Sequence, residues 1–366
     1  MKKILILTAA FGEGHNSAAR GIRQGLAQVS DGAAHVEVHD IFADTYGAAN
    51  DWTCEAYLGL INHAPRTWSK IYRWLDRQEK FAGNFKVFFS AKDRLRRLLG
   101  RFEPEVIVSV YPAYGHMLDE MLGAAGHACG KRVVVITDSL SVNAIWYRCT
   151  ADYFLLPNEQ SAAVLHRSGI APKKTRTFGF PVSPEFAEPG VFREPAGGAG
   201  KNRVLYLVNS GKALAPELAL RLAAIPGVEL TVALGRDRRL LNSIENVRIL
   251  AAHPFHTVGW SEELPRLLRS SHLLISKAGG ATVQEAIAAG CPMIVNHVIP
   301  GQEEGNARLL VETNCGAIAV THDSVVAAVK STFADNAARW RKWSENVARM
   351  SRPAASLEIA RFLLER

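Results

Sequence analysis

Lys277-Ala-Gly-Gly-Ala-Thr-Val-Gln-Glu-Ala-Ile-Ala-Ala-Gly-Cys-Pro292, running on to Pro300-Gly-Gln-Glu-Glu-Gly-Asn306, decides the fold. It follows Leu273–Ile275, an apolar run that reads as a buried strand. A glycine pair then leads into a short helix that Gly290 and Pro292 end in the expected order. That arrangement aims free backbone N–H groups and the positive end of a helix dipole at one point, which suits a phosphate. A second apolar run, Met293–Val295, is followed by a loop rich in amide and carboxylate, Gly301–Asn306. Two adjacent strand-end loops of this kind describe a pocket for a phosphorylated sugar.

Strand–helix alternation extends through the chain. Further strands are expected at Lys3–Leu7, Val36–Val38, Val106–Val110, Val133–Thr137, Tyr153–Leu156, Val204–Val208 and Leu230–Ala233. Between them lie amphipathic helices, one with Ala18, Ile22, Leu26 and Val29 on one face. This pattern means parallel sheets covered by helices. Four prolines (Pro181, Pro184, Pro189, Pro195) and Gly197-Gly-Ala-Gly200 mark a break. The expected division is a domain over 1–180, a linker over 181–200, a second domain over 201–345 and a terminal helix over 346–366. In that helix Ala355, Ile359, Phe362 and Leu363 share a face and pack on a domain. Ligands of open parallel sheets sit beyond the carboxyl ends of the strands. The polar groups fall there: Gly12–His15, Ser109–Tyr111, Asp138, Asn209–Gly211, Gly235–Arg236, Lys277–Gly280 and Asn296–Gln302. Two sheets presenting such ends to each other make an interdomain cleft.

At 366 residues, with 48% hydrophobic and 21% charged content, two full cores are within reach. Five cysteines, an odd number without Cys-x-x-Cys, indicate a reducing compartment and neither a disulfide framework nor a zinc site. Lys2 and Lys3 before Ile4–Leu7 imitate a signal peptide, but the apolar run is short and Gly-Glu-Gly-His follows, so a first strand explains it better. No stretch approaches the roughly 18 apolar residues of a membrane helix. The net charge of +8 resides between Ile61 and Phe102, where eleven Lys/Arg face three carboxylates and interleave with aromatics such as Trp68, Tyr72 and Trp74. Such a segment suits an anionic membrane surface or nucleic acid; each residue taken singly is equally a solvated face or a core aromatic.

Individual residues carry double readings. His15, at a strand end, is a proton acceptor near neutral pH or a polar cap. Asn16 or Ser17 caps the helix that follows. Asp138 orients a histidine or a hydroxyl, or makes a turn with Ser139 and Ser141. Thr282-Val-Gln-Glu285 fits a capping box. Glu285 also lies about 200° from Val283 and Ile287 at 100° per residue, which aims it off the core and toward a ligand such as a ribose. Gln302 and Glu303 grip sugar hydroxyls or are loop polar groups, and Asn306 caps the following helix. The absence of Asp-x-Asp removes the usual metal-holding carboxylate pair. Leaving-group charge is then met by helix N-termini and cations such as Arg236 and Lys212. His253 and His256, with Pro254 between them, read as a loop rather than a metal site.

These motifs resemble a family. Gly12-Glu-Gly-His15 with Ser17-Ala18, Thr137-Asp138 with Trp146, Lys277–Ala286 and Pro300–Asn306 look like the motifs of monogalactosyldiacylglycerol synthases and processive diacylglycerol glucosyltransferases, among the family 28 glycosyltransferases. Similar motifs occur in the transferase that adds N-acetylglucosamine to the peptidoglycan lipid precursor. The resemblance implies a GT-B fold, an α/β arrangement of two Rossmann-like domains, and an inverting reaction with neither metal nor other cofactor. It implies UDP-galactose or UDP-glucose as donor and a diacylglycerol-like lipid as acceptor. It also implies a cytoplasmic enzyme held peripherally at the inner face of an anionic membrane, with no nucleic acid partner. By motif position, His15 with Asp138 would be catalytic. Ser210, Gly211, Arg236, Gly279, Gly280, Ala281, Thr282, Glu285, Gln302 and Glu303 would hold the donor. Gly14, Trp68, Tyr72, Trp74 and Asn143 would face acceptor and membrane. Asn143 stands where the family has a histidine, and the glycine-rich loop after the first strand of the second domain is reduced to Asn209-Ser-Gly-Lys212. A soluble-acceptor transferase, a UDP-sugar epimerase and, more remotely, a nucleic-acid-binding protein are the alternatives.

Overall fold

The structure, a computed structural model, describes residues 1–10, 13–47, 88–122, 130–140, 142–190, 193–198, 200–261, 263–299 and 303–366. In chain order its first strands and helices are β1 (Lys2–Leu7), α1 (Glu13–Val29), β2 (Ala34–His39), α2 (Ile41–Tyr46), α3 (Phe89–Phe102), β3 (Val106–Ser109), α4 (Pro112–Leu122), β4 (Lys131–Val135), β5 (Tyr153–Leu156), α5 (Glu159–Arg167) and β6 (Thr175–Thr177). Then come β7 (Asn202–Leu207), α6 (Ala215–Ala223), β8 (Val228–Ala233), α7 (Arg238–Arg248), β9 (His256–Val258), α8 (Leu264–Ser270), β10 (Leu273–Lys277), α9 (Gly280–Ala288), β11 (Met293–His297), α10 (Glu304–Glu312), β12 (Gly316–Ile318), α11 (His322–Met350) and α12 (Ala355–Leu364).

The chain forms two compact units, one of Met1–Pro184, Ile299–Gly305 and Ala354–Arg366, the other of Glu185–Val298 and Asn306–Pro353. Each holds a six-stranded sheet, in the orders β2-β1-β3-β4-β5-β6 and β12-β11-β10-β7-β8-β9. All ladders are parallel. The central strands are continuous apolar runs because helices cover both faces. Ile4, Leu5, Ile6 and Leu7 have no exposed surface, nor do Leu273, Leu274 and Ile275.

The strand order places the ligand sites. In the first sheet the chain runs outward from β1 to β2 and then resumes on the other side of β1 at β3. In the second it runs β7, β8, β9 to one side and β10, β11, β12 to the other. The connections therefore diverge at the carboxyl ends of β1 and β3, and of β7 and β10. Such switch points open a crevice. His15 and Tyr111 follow the first pair; Asn209–Gly211 and Ala278–Gly280 follow the second.

The terminal helix begins at Ala355, and residues 346–350 belong to α11. α12 buries Ile359, Phe362 and Leu363 and packs along α1. Two α1 glycines make the close approaches: a Cβ on Gly25 would stand 2.5 Å from the Ser356 carbonyl oxygen, and one on Gly21 2.0 Å from that of Pro181. α11 is broken at Ala334–Ala337, where Asp335, Asn336 and Ala337 take φ of 50°, 55° and 58°. His256 opens β9 rather than lying in a loop.

Candidate active site

In the second unit the site is built on β10 and α9. The helix starts at Gly280 with Gly279 as its N-cap and no side-chain cap. Thr282 is thus inside the helix, and the expected Thr282–Glu285 capping box does not form. The amides of Gly280, Ala281 and Thr282 have no acceptor within the helix, and the helix dipole adds positive potential there. Three donors on one turn match the oxygens of a diphosphate. The loop is held from behind. Asn306 lies within α10 rather than capping it, and its Nδ2 donates to the Ala278 carbonyl at 3.1 Å. Ala278 N–H donates to the His297 carbonyl at 3.0 Å. Ser276 Oγ donates to the Leu207 carbonyl at 2.9 Å and reaches Asn209 Oδ1 at 3.1 Å, joining the two switch-point loops.

The neighbouring strand ends carry charge and an aromatic ring. Gly211 takes a left-handed φ of 61° beside Ser210. Lys212 Nζ donates to Asp237 Oδ2 at 2.8 Å, so its charge is engaged by that carboxylate rather than left for a phosphate. The Lys212 ammonium, with the Leu240 amide, holds the Asp237 carboxyl below its ordinary range. The Arg236 guanidinium lies over the Trp260 ring, 4.4 Å from its centre. Trp260 is 55% exposed, unusual for a tryptophan. The charge pattern could not reveal this stack, because the two residues end different strands.

Glu285 is half-buried on α9, between the buried Gln284 and Ala286. Glu303 is buried, and its Oε2 accepts from Ile299 N–H at 3.1 Å. Gln302, Trp68, Tyr72 and Trp74 lie outside the described residues, as does most of the basic aromatic segment.

In the first unit His15 occupies the first turn of α1, just after the half-buried Gly14. Its Nδ1 lies 3.3 Å from Thr137 Oγ1. Its ring meets Tyr111 edge-on at 5.1 Å and Trp146 at 5.8 Å. Burial pushes its pKa down to about 4, against the raising effect of the Val110 carbonyl that accepts from the ring. Asn16 caps nothing; it lies inside α1, where its Oδ1 accepts from Thr8 Oγ1 at 2.9 Å. The approach to His15 is fixed by Asp40, which accepts from Ala10 N–H at 2.8 Å and Ala43 N–H at 3.0 Å. Buried Tyr114 donates to the Thr8 carbonyl at 2.7 Å and accepts from Ile41 N–H at 3.0 Å.

Asp138 is half-buried in the loop after β4, where its carbonyl accepts from Ser161 Oγ at 3.4 Å. Asn143 is buried and caps the short turn Ala144–Trp146, its Oδ1 accepting from Ile145 N–H at 3.1 Å. His116 Nε2 donates to the Ile145 carbonyl at 2.8 Å. That turn sets Trp146 against His15. Thr137, Tyr111 and Trp146 thus form the surroundings of His15; Ser109–Tyr111 were visible in the sequence only as strand-end residues, whereas Thr137 and Trp146 already stood in one motif.

Two family models divide the chain. The monogalactosyldiacylglycerol (MGDG) synthase model matches residues 15–182, and the glycosyltransferase family 28 C-terminal domain model matches residues 198–352. The chain belongs to glycosyltransferase family 28. This family 28 chain is 26% identical over 383 residues to a probable monogalactosyldiacylglycerol synthase of Glycine max, covering 100% of itself and 71% of that protein. It is 25% identical over 343 residues to a processive diacylglycerol beta-glucosyltransferase of Bacillus licheniformis, covering 91% and 87%. Its fold matches the crystal structure of MurG of Acinetobacter baumannii over 100% of both chains, with a TM-score of 0.64 at 15% identity, which is the GT-B fold.

The low pKa of His15 gives this family 28 enzyme a pH signature. Folded His15 releases its proton near 4, against an ordinary 6.5. Between those values the unfolded chain holds more protons. This group's contribution to stability is therefore complete above 6.5 and is lost as the pH falls through 4. Denaturation midpoints measured from pH 4 to 7 are expected to rise with pH, and His15→Gln is expected to flatten that rise. If His15 serves in turnover, the acid limb of kcat/KM, which reports the free enzyme, falls near 4 rather than near 6.5.

Proposed function

We propose that this chain transfers a hexose from UDP-galactose or UDP-glucose to the hydroxyl of a diacylglycerol-type lipid. The observation that carries the reading is the pair of switch-point sites, an uncapped helix start on the second unit and a half-buried neutral histidine on the first. The α9 amides take the diphosphate and stabilise the leaving UDP. Glu285 takes the ribose, and the turn of Glu303, with Gln302, takes the hexose. His15 accepts the proton of the lipid hydroxyl as the oxygen attacks the anomeric carbon. So weak a base accepts a proton only in step with C–O bond formation.

Trp260 and Arg236 extend the donor site toward the base, since an exposed ring at a strand end offers a stacking face. Trp260→Ala is expected to weaken UDP binding by roughly 1–3 kcal/mol, about 5- to 150-fold, with kcat at saturating donor little changed. Calorimetric titration with UDP measures it.

No described helix is long and apolar enough to cross a membrane. The acceptor instead draws the enzyme to the membrane surface, at the inner face for a cytoplasmic protein. Incubation with diacylglycerol-containing liposomes and each radiolabelled donor tests the reading, and a lipid-soluble labelled product is expected. Absence of product from both donors overturns it.

A further inference from the structure

The described part of the basic aromatic segment is α3, and its charges are already satisfied. Arg94 pairs with Asp44, Arg96 and Arg97 with Asp93, and Arg101 with Glu37. Lys92 pairs with Glu120. A positive face without ion pairs lies elsewhere among the described residues. Between 338 and 352 the second unit carries Arg339, Arg341, Lys342, Arg349 and Arg352, all exposed, against the single carboxylate of Glu345. None of the five forms an ion pair among the described residues. The helix buries Trp340, Trp343 and Val347. At 100° per residue Arg341, Lys342 and Arg349 lie within about 100° of one another on the opposite face. Arg339 is drawn flat along Trp343, 4.6 Å from the ring centre. No large apolar side chain is exposed on this stretch, so its contacts are electrostatic and do not insert.

We propose that the face of α11 carrying Arg341, Lys342 and Arg349, with Arg339 and Arg352 at its margins, docks the second unit on an anionic phospholipid surface. The inference rests on the lipid acceptor of the proposed reaction, which brings the enzyme to a bilayer. Charge complementarity selects the occupant: closely spaced guanidinium and ammonium groups, bonded only to neutral oxygens and without carboxylate partners, meet a dense plane of lipid phosphates. Each cation near an anionic leaflet multiplies partitioning by about five at moderate ionic strength. The interaction is screened once the Debye length falls from about 10 Å at 0.1 M salt to about 3 Å at 1 M.

Flotation of the full chain with phosphatidylcholine vesicles, with and without phosphatidylglycerol, tests this. The parent is expected to float with the anionic vesicles at 0.1 M salt and to be released at 1 M. Lys342→Gln/Arg349→Gln is expected to reduce partitioning by about 25-fold. It should retain the parental denaturation midpoint, UDP affinity and turnover of detergent-dispersed acceptor. Arg20→Gln/Arg23→Gln removes the same charge from α1 and is expected to lose less than about threefold. Equal loss in the two variants overturns the proposal, because the effect is then global charge. So does parental flotation of Lys342→Gln/Arg349→Gln, or a parent that prefers a DNA duplex to vesicles. A parent that binds UDP but no vesicle overturns the docking face and leaves the donor site standing; loss of UDP binding strikes the proposed reaction instead.

Discussion

His15→Ala is expected to lower kcat by about a hundred- to ten-thousand-fold while leaving UDP affinity unchanged, the range usual for loss of a positioned base. The expectation rests on surroundings that keep the imidazole neutral and so able to accept a proton as the new bond forms. The ring packs against Tyr111 and Trp146, is neutral above a pKa of about 4, and has Thr137 Oγ1 3.3 Å from Nδ1. The proposed UDP site belongs to the other sheet, so a specific loss of kcat separates chemistry from donor recognition. Thr137→Val, which keeps the volume and removes the hydroxyl, is expected to give a smaller loss and a shifted acid limb. Near-parental kcat in His15→Ala, measured with saturating donor and dispersed lipid, removes the proposed base.

Arg193→Ala carries the largest expected cost in stability, roughly 3 kcal/mol. Its guanidinium donates to the carbonyls of Leu268 at 3.5 Å, Arg269 at 3.4 Å and Ser271 at 3.0 Å, and also to that of Gly290. One side chain thus serves the carboxyl ends of α8 and α9, where a cation also complements the helix dipoles. Truncation leaves several carbonyls without partners in a partly buried site. With a urea slope of up to about 3 kcal/mol/M, the midpoint should fall by about 1 M or more. Arg193→Lys is expected to recover only part of this, since an ammonium lacks the planar fork. A loss below about 1 kcal/mol would show that water replaces the guanidinium. Because α9 presents its other end to the diphosphate, UDP affinity measured on the folded variant reports whether this anchor also aims the helix.

The inner strands of both sheets were legible because burial on two faces writes itself as uninterrupted apolar runs. β6, β9 and β12 were not, since three-residue strands such as Thr175-Arg-Thr177 show no periodicity. The phosphate loop could be read from its glycines, but its cap could not. The helix starts three residues before the point where Thr282 and Glu285 would form a box, and Gly279 supplies no side chain. Asn16 and Asn306 look like caps in one dimension; each instead sits within a helix and bonds across the fold, to Thr8 and Ala278. Local charge counting could not show where the α3 charges go: Arg94 and Arg101 are met by Asp44 and Glu37, fifty and sixty-four residues earlier in the chain.

The pairing of α12 with α1 has a consequence for biosynthesis. A ribosome delivers the first sheet and its histidine early, yet the α1 face at Gly25 waits for a segment made only after the whole second unit has emerged. Until then the nascent first unit keeps an apolar seam open to water and to chaperones. The part of the molecule synthesised first is the part sealed last, and expression of residues 1–184 by themselves would leave it unsealed.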